Sequence, residues 1–482
     1  MSTVIVIGGS ICGLAAALAL ADRGHQVQLV ERASEPYPDT VAEAADWRRA
    51  TVPQAVHSHA FASLGCNLLR EHAPDVYDAL FAAGCDEINL ADYPPPTLPD
   101  FGRETADDRL RMLIARRSTF ELVLRQRALS RPGVRLLSGW TVRGLLTSDA
   151  DPARIVGVRS ADGQTLSADY VVDASGRRSE AHTWLTELGL PVPDATAESC
   201  RIVYYTRHFR LLADAFPGPL NRGFGSGGLW DHYTAVLFRG DNSTFSIALG
   251  ILPEDQELKG LKDEAAFTAA VRATPLLAGW LADGVSEPIS PVYVMGGLDN
   301  SWRVPGPDDP KPIGFFGLGD AVCTTNPSYG RGVSLGLSHA LALAELLDEF
   351  PEPSAEQAAR FAGRTAALMR PWLEEAIAND RGRAAMWQAG LAGQPPQRPP
   401  AGIVTFGAAV AASTKDAEVW RRVANVMMML APPAALYADP EIGARIGRAM
   451  SAGPPPQQLP GASRAELVAA VTGAQQLAAS HQ

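Results

Sequence analysis

Paired cysteines are missing from this sequence. Its five (Cys12, Cys66, Cys85, Cys200 and Cys323) are scattered without a repeating spacing, which excludes a disulfide framework and predicts no metal site. An excess of positive charge is missing too. The formal net charge is −11, so no nucleic-acid partner and no anionic-membrane surface is expected. Nowhere do roughly eighteen apolar residues run uninterrupted, and no charged segment precedes an apolar one at the start, so neither a membrane span nor a secretory signal is expected. These absences together point to a reduced cytoplasm. What remains is globular: 46% hydrophobic and 20% charged, with 44 glycines and 37 prolines, short of a low-complexity chain. A length of 482 residues predicts two or three compact units.

The opening stretch organises the rest. Val4-Ile5-Val6-Ile7 runs into Gly8-Gly9-Ser10-Ile11-Cys12-Gly13, and Leu14 to Ala21 reads as an Ala/Leu helix. Arg23-Gly24 closes that helix, and Val27 to Glu31 is a second strand ending in an acid. A strand, glycine turn, helix and acid-tipped strand make a dinucleotide-binding unit. Gly8 permits the tight turn and Gly13 lets the helix pack close. The helix N-terminus then offers N–H groups and partial positive charge to a pyrophosphate. Ser10 stands where the usual pattern has its middle glycine. Glu31 falls where a carboxylate would accept from an adenosine ribose.

Further along, Trp47 to Phe61 holds Arg48, Arg49, Pro53, Gln54, His57 and His59 ahead of a helical run over 60–70. That is rich chemistry for a connecting loop. The histidines serve either the site or only the tie between loop and helix. Ser118 and Glu121 have the capping-box spacing at a helix start. Residues 134–137, 141–147 and 155–160 read as antiparallel strands, and 168–173 as a strand running into Gly176. Segments over 199–311 alternate in the manner of an antiparallel sheet. The glycine-rich 223–228 lacks a preceding apolar strand and reads as a loop. A core strand at 313–319 leads to Gly319-Asp320, then Asn326-Pro327-Ser328-Tyr329-Gly330-Arg331-Gly332 and an apolar helix over 333–347. Beyond Pro351 the pattern is helical, broken by the proline-rich 394–400. Met427 to Met429 reads as core or pocket lining.

The turn at Gly8 to Gly13, the Asp-Ala-Ser-Gly strand end and Gly319-Asp320 with the following proline and glycines resemble the single-component flavin monooxygenases of the p-hydroxybenzoate-hydroxylase fold. The loop residues Arg49, Val52, Pro53, Gln54, His57 and His59 resemble those of bacterial natural-product epoxidases and hydroxylases acting on polyether precursors, with Thr51 in place of the loop glycine. The resemblance implies an α/β fold: a Rossmann-like FAD-binding domain (1–85, 108–185 and 312–350), an antiparallel-sheet substrate domain (86–107 and 186–311) and a C-terminal helical region (351–482). It implies FAD as cofactor, O2 as co-substrate, and electrons from NAD(P)H or a separate flavin reductase.

The reaction it implies is epoxidation or hydroxylation of a largely apolar small molecule through a flavin C4a-hydroperoxide. Cofactor contacts are expected from Gly8, Gly9, Ser10, Ile11, Cys12, Gly13, Glu31, Arg32, Arg49, Arg117, Gly176 and Asp320. Pro327, Gly330, Arg331, Gly332 and Val333 complete that set. Asp320 is expected on the ribityl chain, Arg49 beside the pyrophosphate or isoalloxazine. His57, His59, Pro327 and Tyr329 are expected at the reacting centre, with a histidine as donor or proton shuttle. The substrate is expected between flavin and sheet, lidded by Met427 to Met429. A flavin reductase that saturates prenyl chains is the alternative. A halogenase is disfavoured, since the first lysine is Lys259 and no Trp-x-Trp-x-Ile-Pro segment occurs.

Overall fold

The computed structural model describes residues 1–98, 101–212, 217–218, 220–221, 225–395, 404–453 and 461–480. Gly223 and Phe224 of the glycine-rich stretch and residues 396–400 of the proline-rich break lie outside the described residues.

A five-stranded parallel sheet carries the order Phe315–Gly317, Tyr170–Asp173, Thr3–Ile7, Gln26–Glu31, Val134–Ser138. The first strand is apolar on both sides because both faces are covered. Val4 and Val6 enter the core beneath the helices Ile11–Ala21, Arg117–Leu129 and Gly332–Glu349, while Ile5 and Ile7 enter the opposite one. That opposite face is closed by a three-stranded antiparallel sheet spanning Val142–Thr147, Ile155–Ser160 and Thr165–Ser167. Val134–Ser138 therefore pairs parallel with Gln26–Glu31 rather than antiparallel with its neighbours in sequence. Alternation reveals a strand but not its partner.

A six-stranded antiparallel sheet is built on Val203–Leu211 and Thr244–Ile251, with Tyr233–Arg239 and Gly225–Leu229 beyond. Gly225 to Leu229 thus forms an edge strand, not a loop. Glycine fits there because a Cβ on Gly225 would stand 1.9 Å from the Leu237 carbonyl oxygen. The sheet's apolar face (Tyr205, Phe209, Phe245, Ile247 and Leu249) packs on the helices Glu264–Ala273 and Arg464–Ser480. The last helix accordingly packs on the sheet, away from the rest of the C-terminal region. Arg464 fastens it to Asp255 at 2.9 Å and to Glu257 at 2.6 Å.

The C-terminal core gathers Ala355–Leu391, Phe406–Ser413, Ala417–Met427 and Pro440–Ser451. Met429 is buried in that core and Met428 in an adjoining cluster with Ile88, Leu110 and Trp420, and the Met428 carbonyl accepts from Leu64 N–H at 3.1 Å. They form no lid.

Candidate functional site

The carboxyl ends of the parallel strands open on a cleft of about 1460 Å³, with an adjoining cavity of about 630 Å³. Ligands of doubly wound sheets sit at this end. The turn after the first strand is forced by two close approaches. Gly8 has φ +104° and donates to the Val30 carbonyl at 2.8 Å; a Cβ there would lie 2.6 Å from the Ala174 carbonyl oxygen. At Gly13 a Cβ would lie 1.8 Å from the Gly8 carbonyl oxygen. No side chain caps the helix that follows, so its first N–H groups remain available to an anion.

Ser10 is not a defect of the turn. Its Oγ accepts from Arg117 Nη2 at 2.8 Å, which draws a cation to the helix mouth. Glu31 accepts from Gly9 N–H and Ala33 N–H, each at 2.9 Å, and pairs with Arg49 at 3.0 Å. Three of its four acceptor positions are filled, leaving one on Oε1 for a ligand hydroxyl. Arg49 also pairs with Glu121. It lies behind the turn and does not line the cleft, which corrects the expectation of Arg49 beside the pyrophosphate or ring. Glu121 is likewise engaged by Arg49 and Arg117, so no capping box forms and Arg116 is the N-cap of Arg117–Leu129.

Asp320 follows Gly319, whose φ of +56° packs it against the Cys12 sulfur, 2.9 Å from where a Cβ would stand. Asp320 lines the cleft, and its carboxylate accepts no hydrogen bond among the described residues. Burial pushes its pKa up, partly opposed by Arg117 and Arg177. An unpartnered carboxylate in such a place is costly unless a ligand donates to it. Burial, with Asp320 and Asp173 nearby, lifts the Cys12 thiol to about 12, so it stays unreactive. The turn itself is held by His339, whose Nδ1 accepts from Gly319 N–H at 3.1 Å.

The expected histidines divide. His59 Nδ1 donates to the His57 carbonyl at 2.9 Å, and its Nε2 faces Arg117 Nη1 at 2.9 Å. Both nitrogens are engaged, so His59 orients Arg117 and has nothing left for a substrate. His57 lines the cleft; its Nδ1 meets Thr206 Oγ1 at 3.0 Å, and its Nε2 has no hydrogen-bond partner among the described residues. Burial lowers the pKa of His57 to about 4 and of His59 to about 3. Both are neutral at physiological pH, which corrects the proton-shuttle expectation for them.

Tyr329 is also displaced from its expected place. Its hydroxyl donates to Asp380 at 2.9 Å, away from the cleft. The Arg331 side chain runs to the Trp372 carbonyl at 3.0 Å and to Glu375. Gly8, Gly9, Ser10, Glu31 and Arg32 line the smaller cavity. Ser10, Ile11, Cys12, Arg32, Arg117, Gly176, Asp320, Pro327, Gly330, Arg331, Gly332 and Val333 line the larger. Sequence reasoning missed Asn300, Asp380 and Tyr204, which no local motif marks, and gave no role to Asn326 at the start of the proline–glycine stretch. Among the described residues no cluster of side chains could hold a metal ion, and no helix is long and apolar enough to cross a membrane.

Comparison with known proteins agrees with this geometry. Residues 1–203 match the family described as an FAD binding domain. Protein Rv3254 of Mycobacterium tuberculosis is 28% identical over 364 residues, covering 69% of this chain and 70% of that protein. Menaquinone reductase of the same species is 25% identical over 373 residues, covering 72% and 76%. Among solved structures, Pseudomonas aeruginosa PqsL in complex with 2-aminobenzoylacetate superposes with a TM-score of 0.58 at 16% identity, covering 82% of this chain and 100% of that one. 2-Methyl-3-hydroxypyridine-5-carboxylic acid oxygenase reaches 0.51 at 15%, covering 81% and 91%. The myxobacterial chondrochloren halogenase CndH reaches 0.53 at 19%, covering 93% and 97%. The chain is built on an FAD-binding domain of the p-hydroxybenzoate-hydroxylase type, with antiparallel sheets and C-terminal helices.

Proposed function

We propose that the protein is an FAD-dependent monooxygenase that inserts one oxygen atom of O2 into a small, electrically neutral natural-product intermediate, by epoxidation or hydroxylation. The observation that carries this reading is the Asp320 carboxylate, turned on the cleft without a donor among the described residues. A ligand hydroxyl satisfies it. The uncapped N-terminus of Ile11–Ala21, with Ser10 and Arg117 beside it, receives a pyrophosphate. Glu31 takes a ribose hydroxyl at its open position. Residues 327–333 bring backbone N–H groups and the start of Gly332–Glu349 to the ring, favouring negative charge there. When bound, the flavin supplies the electrons for O2 activation; NAD(P)H or a separate reductase replenishes them.

The chain's own residues then bind, orient and exclude water. His57, Ser58 and Met295 line the cleft on the side of the six-stranded sheet, and the sheet holds two of them from behind: Ser246 accepts from Ser58 at 2.8 Å and Thr206 meets His57. His57 Nε2 orients an oxygen of the substrate. The test has two steps. Flavin released by denaturation is expected to be FAD; release of FMN alone overturns the cofactor assignment. NAD(P)H oxidation is then expected to consume O2 and to accelerate with substrate.

A second reading has its own support. The likeness to menaquinone reductase over 72% of the chain favours a flavin-dependent reductase, and such an enzyme acting on a prenyl chain would saturate a double bond. Anaerobic turnover to a saturated product would select it; dependence of product on O2 selects the oxygenase.

A further inference from the structure

We infer that Asp380 is a positioning residue for the flavin-facing loop, acting from the C-terminal helix Ala355–Leu391; the inference rests on the flavin reading given above. The helix meets the loop at successive turns. The Trp372 carbonyl and Glu375 hold Arg331, and Glu375 is itself steadied by the Tyr437 hydroxyl at 2.9 Å. Five residues beyond Glu375, the buried Asp380 carboxylate collects four donors. Asn326 Nδ2 at 2.7 Å, the Tyr329 hydroxyl at 2.9 Å and Arg383 Nη2 at 3.1 Å reach Oδ1, and Asn300 Nδ2 reaches Oδ2 at 2.8 Å.

The pinning extends to the backbone. Asn300 Oδ1 accepts from Asn326 N–H at 2.8 Å, and Asn326 Oδ1 accepts from Ser328 N–H at 3.0 Å and from the Tyr204 hydroxyl at 2.7 Å. Both the entry to Pro327 and the first turn after it are thereby fixed. Only an acceptor-only group suits position 380. Every group facing it donates, and a buried carboxylate that lost these donors would be strongly destabilised. The loop cannot drift without uncovering that charge. Pre-organisation of this kind lets a loop present N–H groups without reorganising when charge develops.

Asp380→Asn tests this with almost no change of volume, because its amide nitrogen must face a donor. Hydrogen exchange on the apoprotein is expected to quicken about ten-fold or more in residues 326–332. FAD affinity of the apoprotein is expected to fall about ten-fold, and the midpoint potential of bound flavin to become more negative. Tyr329→Phe, which removes one donor and keeps the charge, is expected to move each readout the same way by about two- to three-fold. Glu356→Gln, on the exposed start of the same helix, is expected to change none. Wild-type exchange at 326–332 in Asp380→Asn overturns the proposal; so does quickened exchange with unchanged affinity and potential, since Asp380 would then only stabilise the fold. If the wild-type protein takes up no FAD, the flavin reading falls, while the exchange measurement still decides whether Asp380 holds the loop.

Discussion

Replacing Asp320 by asparagine separates binding from folding. The side chain keeps its shape and loses its charge. In the ligand-free protein no described residue donates to the carboxylate, and burial pushes its pKa up. The folded state therefore binds a proton more readily than the unfolded one, so this group favours folding at low pH and opposes it once pH rises above its folded pKa. Asp320→Asn should raise the melting temperature of the apoprotein at neutral pH, with a smaller gain near the ordinary carboxylate range. With FAD the sign reverses. A hydrogen bond to a charged group contributes about 1.5–3 kcal/mol, or about ten- to a hundred-fold in affinity. Titration of apoprotein with FAD, followed by flavin fluorescence, reads the second effect and differential scanning fluorimetry the first. An Asp320→Asn protein that binds FAD as wild type yet melts lower would refute the reasoning, because the carboxylate would then be part of the fold and not of the site.

Gly13→Ala should purify without flavin, since its Cβ would stand 1.8 Å from the Gly8 carbonyl oxygen and the turn must open; absorbance at the flavin bands checks it. Arg49→Gln leaves Glu31 and Glu121 buried without their shared cation, and should cost about 3–5 kcal/mol by denaturant unfolding. Burial lowers His57 and His208 to about 4, and His59 and His339 to about 3, from 6.5. Depressed values mean that the unfolded chain takes up the protons first. Stability is therefore full above about 6.5 and falls as pH drops towards 4, by up to about 1.4 kcal/mol per pH unit for each histidine. A melting temperature flat between pH 7 and 4 would contradict the neutral, buried state of these side chains.

The dinucleotide turn was legible because its causes are local. Gly8, Gly13 and the acid at Glu31 act within one strand–helix–strand unit, at spacings that backbone geometry sets. Asp320 was legible for a related reason, as a carboxylate at the end of an apolar strand. Where the reading failed, the deciding partner was remote. The Ser118 and Glu121 spacing promised a helix cap, but Arg49 claims Glu121 from 72 positions away. Tyr329 looked like a site residue from its place beside the glycines; Asp380 draws its hydroxyl to a helix 51 positions on. Asn300 and Asp380 carry no local pattern, and their meeting is a product of tertiary packing. The antiparallel reading of Val134–Ser138 had the same origin: a period of two names a strand and leaves its neighbour open.

The character of the substrate follows from where charge is absent from the sheet. Three arginines of this domain, Arg201, Arg207 and Arg210, have the chemistry to hold a substrate carboxylate, and each has a partner of its own. Arg201 pairs with Glu254 at 2.7 Å, Arg210 with Glu287 at 3.6 Å, and Arg207 with Glu264. Arg207 shares the strand face of Tyr205 and Phe209, on the side opposite Thr206 and His208, and its Nε donates to the Ser290 carbonyl at 3.0 Å. The cleft side presents His57, whose Nε2 has no partner among the described residues and whose pKa is too low for a cation. A neutral imidazole orients a hydroxyl or carbonyl through one hydrogen bond and brings no positive charge to pair with a carboxylate. Arg207→Gln should therefore leave KM for the substrate unchanged, whereas His57→Ala should raise it about five-fold, the loss of one neutral hydrogen bond of about 1 kcal/mol. It should also lower the product formed per NAD(P)H consumed while FAD stays bound. Steady-state kinetics with a neutral substrate and its carboxylated analogue make the comparison. A strong preference for the acid that disappears in Arg207→Gln would mean that the sheet turns its charged face to the substrate, and the assignment of the cleft wall would fall with it.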